Sequence, residues 1–183
     1  DAGNPEDRED YLNSIHQSAT HLLELINDIL DLSRIEAGRM EIDRVACSPH
    51  TIIAAVLSLL RVRAEEKGIH LVCQWPDGVP DTILTDPLRL KQLLMNLVGN
   101  AVKFTHRGEV RLVCRLDRSL HPPQLAFDVV DSGIGIPADK LESIFDAFVQ
   151  ADSSVTREFG GTGLGLAISR RIAQALGGRI TVQ

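Results

Sequence analysis

Residues 86–104 read DPLRLKQLLMNLVGNAVKF, and residues 124–136 read QLAFDVVDSGIGI. In the first stretch Asp86 followed by Pro87 is the pattern of a helix start, and the segment reads as a helix continuing to about Phe104. In the second, the apolar run Leu125 to Val130 reads as a strand that ends at Asp131 in a glycine-punctuated turn. Between the two, Glu109 to Leu116 reads as another strand, and Pro122-Pro123 marks the turn that makes a hairpin of it with Gln124 to Asp131. A helix that leads into an antiparallel hairpin predicts an α+β domain.

Upstream, Ile69 to Trp75 reads as a strand closed by the turn Pro76-Asp77-Gly78, and Ser48-Pro49 opens a helix to about Lys67, ended by Gly68. Further back the texture is helical. Leu12, Ile15, Ala19, Leu22, Ile26 and Ile29 follow a 3-4-3-4-3 spacing that draws a seam along a helix from about Arg8 to Ala37, with Gly38 as its C-cap. Leu23, Leu25, Leu30 and Leu32 widen the stripe, so this helix must bury itself among several others. Downstream, a polar stretch rich in small residues, Gln150 to Gly161, separates Phe145 to Phe148 from a last helix, Leu164 to Leu176. Arg179 to Gln183 reads as a strand only just begun, which suggests a chain cut short there. The division expected is a partial helical module over residues 1–45 and an α+β domain over residues 46–183.

A chain of 183 residues with 44% hydrophobic content can bury a core. Its net charge of −6 argues against a nucleic-acid surface, which needs clustered Lys and Arg. Cys47, Cys73 and Cys114 lie far apart without a C-x-x-C pair, so neither a zinc site nor a disulfide framework is expected, and reduced thiols point to the cytoplasm. The longest apolar run, Ile52 to Leu60, is too short to span a bilayer, so no membrane contact by this segment is expected, although a parent protein could be anchored by other sequence.

Three constellations carry chemistry. Asn96 and Asn100 are i and i+4 on the helix, so their amides project from one face with Lys103 beside Asn100. An amide oxygen is a hard neutral ligand suited to Mg²⁺, and a lysine balances phosphate charge; the plain alternative is a solvated polar stripe. Asp131, at a strand end, can accept the exocyclic N–H of adenine, while Gly133 and Gly135 let backbone approach a flat base. The alternatives there are a simple tight turn, or the dinucleotide fingerprint that Gly133-x-Gly135-x-x-Ala138 formally matches; the acidic residue which that fingerprint needs at a strand end is lacking, since Asp152 falls in the polar loop. Gly160-Gly161-Thr162-Gly163-Leu164-Gly165-Leu166 runs into the last helix, and exposed N–H groups at a helix start make a phosphate site. No Gly-Lys-Ser/Thr follows, so this is not a P-loop.

The order of these elements decides among the readings. Asn96/Asn100, Asp131-x-Gly133-x-Gly135, Phe145-Asp146-Ala147-Phe148 and Gly161-x-Gly163-x-Gly165 follow one another, each on the element its chemistry requires. From about Tyr11 onward the chain resembles the histidine kinases of the ATPase superfamily that includes DNA gyrase and the mismatch-repair ATPases, the four motifs matching the N, G1, F and G2 boxes. The resemblance implies a two-layer α/β sandwich of the Bergerat type, with a mixed, mostly antiparallel sheet and helices on one face, preceded by a long bundle helix. It also implies ATP and Mg²⁺ as ligands. Asn100 would hold Mg²⁺, Asn96 and Lys103 would support metal and phosphates, and Asp131, Gly133 and Gly135 would form the base pocket. Thr162, Gly163, Leu164 and Gly165 would meet the phosphates, and Val149 to Thr162 would be a lid flanked by Phe145 and Phe148. Implied partners are a second copy in a homodimer of the intact protein and a response regulator or receiver domain, with a lid composition like that of hybrid kinases.

In hydrolytic members of the superfamily the position of Asn96 is usually a glutamate that activates water. An amide has no proton-accepting pKa near neutrality, which favours a kinase over an ATPase. The family's acceptor pattern, His-Glu/Asp-x-x-Thr/Asn-Pro, is nowhere in this chain, and His16 and His21 lack its carboxylate and proline. The first helix resembles the second helix of the family's dimerisation hairpin, so the phosphorylated histidine would lie on a helix absent here and the chain would not autophosphorylate alone. Two further readings are a nucleotide-binding module that regulates a partner without transfer, and a hydrolytic ATPase.

Overall fold

The computed structural model describes residues 5–37, 40–76, 78–149 and 163–183. The chain divides into two compact units, Asp1–Met40 and Glu41–Gln183. The first contains helix α1, Pro5–Glu36. Leu12, Ile15, Leu22, Ile26 and Ile29 of its expected seam are exposed, as on a bundle helix seen without its neighbours. Gly38, the expected cap, is outside the described residues.

In the second unit the elements are β1 (Val45–Cys47), α2 (Pro49–Glu66), β2 (Ile69–Gln74), β3 (Ile83–Thr85), α3 (Pro87–Phe104), β4 (Gly108–Asp117), β5 (Gln124–Asp131), 3₁₀ turns at Ala138–Lys140 and Ser143–Phe145, and α4 (Gly165–Ala175). The division between units falls a few residues before the expected boundary at 45. Its reason is local: Val45 pairs with Thr85, and the Asp43 N–H donates to Asp86 Oδ2 at 3.2 Å.

Both long helices of this unit begin as their sequences dictate. Ser48 accepts from the Thr51 N–H and Asp86 from the Arg89 N–H, each followed by proline at the first helical position. Asp86 is only 7% exposed and serves two backbone donors, Arg89 N at 3.0 Å and Asp43 N. Asp86→Ala leaves both unsatisfied and should cost about 2–3 kcal/mol in urea unfolding, with Asp86→Asn losing distinctly less because it keeps an acceptor oxygen. Equal losses in the two variants would show that the cap is not the cause. α2 ends at Lys67, and Gly68, at φ +66°, supplies the left-handed residue that turns the chain into β2.

The main sheet has the order β2-β4-β5, with β2 parallel to β4 and β4 antiparallel to β5. Along β4, Val110, Leu112 and Cys114 are fully buried, the alternation expected when one sheet face is covered. On the other face Arg115 pairs with Asp128 at 3.0 Å. The buried face joins Ile53, Val56 and Leu60 of α2 and Leu90, Leu94, Val98, Ala101 and Val102 of α3 in one core. This is an α+β fold with a mixed sheet and helices over one side. β1 and β3 form a separate antiparallel pair. One expected strand is not found: Arg179 to Gln183 is described but forms no ladder. Its alternating residues suit a strand, yet a strand exists only where a neighbour takes its backbone hydrogen bonds. The three cysteines are free thiols, and burial pushes that of Cys114 upward.

Candidate nucleotide site

The core stripe of α3 runs through Leu90, Leu94, Val98 and Ala101, so Asn96, Asn100 and Phe104, spaced i, i+4 and i+8, fall on another side. They cover about 12 Å of the helix at 1.5 Å per residue. Each end of that span meets a glycine motif.

At the first end Asn96 is clamped. Its Nδ2 donates to Ser169 Oγ of α4 at 2.6 Å, and its Oδ1 accepts from Asn100 Nδ2 at 3.4 Å. Gly165 opens α4 directly against this amide, since a Cβ placed there would lie 2.5 Å from Asn96 Oδ1. The absence of a side chain at 165 is thus what lets the helix start come up to the two asparagines. Leu164, whose side chain is 1% exposed, anchors that start in the core. Gly163 has φ +70°, and its carbonyl accepts from the Phe148 N–H at 3.0 Å. Phe148 is itself left-handed, at φ +66°, and 70% exposed. Between these two, residues 150–162 lie outside the described residues, and with them Thr162 and most of the expected lid.

At the other end the turn after β5 docks on the last residue of α3. The Ile134 N–H donates to the Phe104 carbonyl at 3.3 Å, and a Cβ on Gly133 would fall 2.6 Å from that carbonyl oxygen. Asp131 Oδ1 accepts from the Gly133 N–H at 2.9 Å, which fixes the orientation of its carboxylate. Gly135, at φ +71°, has open space around it. Ser132 ties the turn to β4: its Oγ accepts from the Glu109 N–H at 3.0 Å, and its own N–H donates to the Glu109 carbonyl.

Lys103 lies one turn from Asn100, half-buried, 5.0 Å from the Phe104 ring centroid. Burial, and secondarily the nearby Lys67 ammonium, holds its pKa below the usual lysine value. Three residues unforeseen in the sequence enter the site through contacts: Ser169, Ser132 and Lys67. Ser169 had a readable signal, since it is i+4 from Gly165 and therefore on the same helical face. The other two act through long-range bonds without one.

The donor set fits a magnesium nucleotide. It offers an amide oxygen for a hard cation, a carboxylate at a strand end, and, at positions 133 and 165, glycines where a Cβ would close the space. The profile described as "Histidine kinase-, DNA gyrase B-, and HSP90-like ATPase" matches residues 85–183. The chain belongs to this ATPase family. The profile "His Kinase A (phospho-acceptor) domain" matches residues 1–38, over α1. The signal transduction histidine-protein kinase BarA of Escherichia coli K12 is 41% identical over 173 residues, 94% of this chain and 19% of BarA. The sensory/regulatory protein RpfC of Xanthomonas campestris pv. campestris is 43% identical over 176 residues, 95% of this chain and 24% of RpfC. Among solved structures, full-length ShkA in complex with AMPPNP superposes with a TM-score of 0.79 at 36% identity, covering 93% of this chain and 34% of ShkA. The second unit thus matches this ATPase family and aligns with histidine kinases, and the chain spans about a fifth to a quarter of the length of the curated relatives. Among the described residues no helix is long and apolar enough to cross a membrane.

Proposed function

We propose that this domain binds Mg·ATP along the side of α3 that carries Asn96 and Asn100, and donates the γ-phosphoryl group to a histidine on another helix. The supporting observation is the arrangement along α3, with a glycine-bounded helix start against Asn96 at one end and the Asp131 turn on Phe104 at the other. In this reading Asp131, its Oδ1 engaged by Gly133, presents Oδ2 to the exocyclic amine of adenine, and Gly133 and Gly135 leave room for the ring. The Gly163 to Gly165 backbone faces the phosphates, with Thr162 beside it, Phe148 flanks the entrance, and Lys103 balances charge. Asn100, whose Nδ2 is used on Asn96, keeps Oδ1 for the cation. Magnesium, when bound, would neutralise phosphate charge and fix the phosphate oxygens.

Asn96 sits where a hydrolytic enzyme would need a base. Its amide cannot take a proton from water and is tied to Ser169, so bound ATP persists until an imidazole nitrogen attacks the γ-phosphorus and ADP leaves. The acceptor helix, pairing of two copies through α1, passage of the phosphoryl group to a response regulator or receiver domain, and a cytoplasmic setting belong to the same proposal.

The chain incubated with γ-labelled ATP, Mg²⁺ and a separate polypeptide carrying the acceptor histidine should place label on histidine, and EDTA should abolish it. Label released mainly as free phosphate would make the domain an ATPase; binding with neither outcome would make it a regulatory module.

A further inference from the structure

An α-helix leaves its last carbonyls without partners inside the helix, and its C-terminus carries a partial negative charge. At the end of α3 these groups are all accounted for. The Ala101 carbonyl accepts from the Thr105 N–H at 3.1 Å. Lys67 Nζ donates to the Val102 carbonyl at 2.9 Å, the Lys103 carbonyl at 2.6 Å and the Thr105 carbonyl at 3.4 Å. The remaining carbonyl, that of Phe104, accepts from the Ile134 N–H. An ammonium has three N–H bonds, and here three carbonyls converge on it. Lys67 is the C-cap residue of α2, just before the left-handed Gly68, whose N–H donates to the Glu65 carbonyl at 2.9 Å. Its backbone is therefore fixed while its side chain reaches some 35 residues ahead in sequence.

We infer that Lys67 is a positioning residue for nucleotide binding: by gathering the Val102, Lys103 and Thr105 carbonyls it sets the Phe104 carbonyl where the Gly133-Ile134 backbone docks. The inference rests on the nucleotide reading of the site above. Lys67 acts on the joint between the elements that carry Asn100 and Asp131. That joint has little slack, because Gly133 already lies too close to the Phe104 carbonyl for a Cβ, and Ser132 pins the same turn to β4 from the other side. A last turn of α3 that unwinds or shifts carries Phe104 with it. The Asp131 carboxylate, bonded to Gly133, then moves relative to Asn100.

The test uses the 183-residue chain with Lys67→Met and Lys67→Arg. Three quantities are read: affinity for Mg·ATP by calorimetry, amide hydrogen exchange at Ile134 by NMR, and exchange at Leu112 in the buried strand β4 as a measure of global stability. Lys67→Met should weaken nucleotide binding about 10-fold, the scale of losing a charge-assisted hydrogen-bond cluster, and should speed Ile134 exchange well beyond Leu112 exchange. Lys67→Arg, which keeps charge and several donors, should restore most of both. If Lys67→Met does not fold, Lys67→Gln, with fewer donors and no charge, is read against Lys67→Arg by the same criteria. Equal acceleration at Ile134 and Leu112 would reduce Lys67 to a stabilising cap, and unchanged exchange with unchanged affinity would overturn the proposal outright. If the unaltered chain binds no nucleotide, the reading of the site has failed, whereas the exchange at Ile134 still shows whether Lys67 sets that turn.

Discussion

Asp131→Ala should lower ATP affinity on the order of 100-fold while leaving the folded domain in place, because a hydrogen bond between a carboxylate and a buried ligand amine is worth about 2–3 kcal/mol. In the free protein Asp131 is exposed at the end of β5, so truncating it opens no cavity. What is lost is an acceptor already oriented by the Gly133 N–H. The loss should appear with ATP and ADP alike, since the adenine is common to both, and the preference for adenine over guanine nucleotides should shrink. Asp131→Asn separates two effects: its amide oxygen can still receive Gly133, while its NH₂ meets the adenine amine donor to donor. Calorimetry with ATP, ADP and GTP, alongside far-UV circular dichroism, reads all of this. Unchanged ATP affinity in Asp131→Ala would remove the residue from the site.

Gly133→Ala should be nearly as damaging for binding, through sterics. The added methyl would stand 2.6 Å from the Phe104 carbonyl oxygen and 2.8 Å from Asp131 Oδ1. The carboxylate could swing away, but the carbonyl is backbone at the end of a helix whose neighbouring carbonyls are held by Lys67. The turn must therefore retreat, which strains the Ile134 bond to Phe104 and displaces Asp131. Overpacking of this kind costs about 1–3 kcal/mol of stability, measurable by urea unfolding, and ATP affinity should fall by a further factor because the pocket is re-formed only at that cost. Gly135→Ala provides the contrast: nothing lies near its Cβ, but its positive φ makes the penalty conformational. Wild-type affinity in Gly133→Ala would mean that the turn has another place to rest, and that its contact with α3 does not matter for the ligand.

What the sequence revealed and what it hid divide along the range of the forces involved. Ser48-Pro49 and Asp86-Pro87 announced their helices because capping is settled within four residues. The β4 and β5 hairpin was legible for the same reason, its two strands being neighbours joined by a turn. β1 and β3, at three residues each, are too short for an alternation to register, and they pair across the whole of α2 and β2. The parallel pairing of β2 with β4 is a crossover through α3, which no local pattern encodes. The reverse failure occurs at Arg179 to Gln183, where a strand-like pattern promised a ladder that the described residues do not form.

The site divides in the same way. The chemical types of Asn96, Asn100 and Asp131, and the glycines, could be read directly because chemistry follows residue identity. The reason Gly165 and Gly133 must be glycine could not: each faces a group far away in the chain, the Asn96 amide in one case and the Phe104 carbonyl in the other. Lys67 shows the limit most clearly. In the sequence it is only the residue near which a predicted helix ends, and the folded chain reveals that its ammonium ends a different helix.

The two-sidedness of α3 has a bearing on protein engineering. Leu94, Val98 and Ala101 answer to the core, while Asn96, Asn100 and Lys103 are spared from it, so the two sets can be randomised separately. A library confined to the second set would explore ligand preference on an intact scaffold. Gly165 and Gly133 should stay outside such a library, because they connect the variable side to its immovable surroundings.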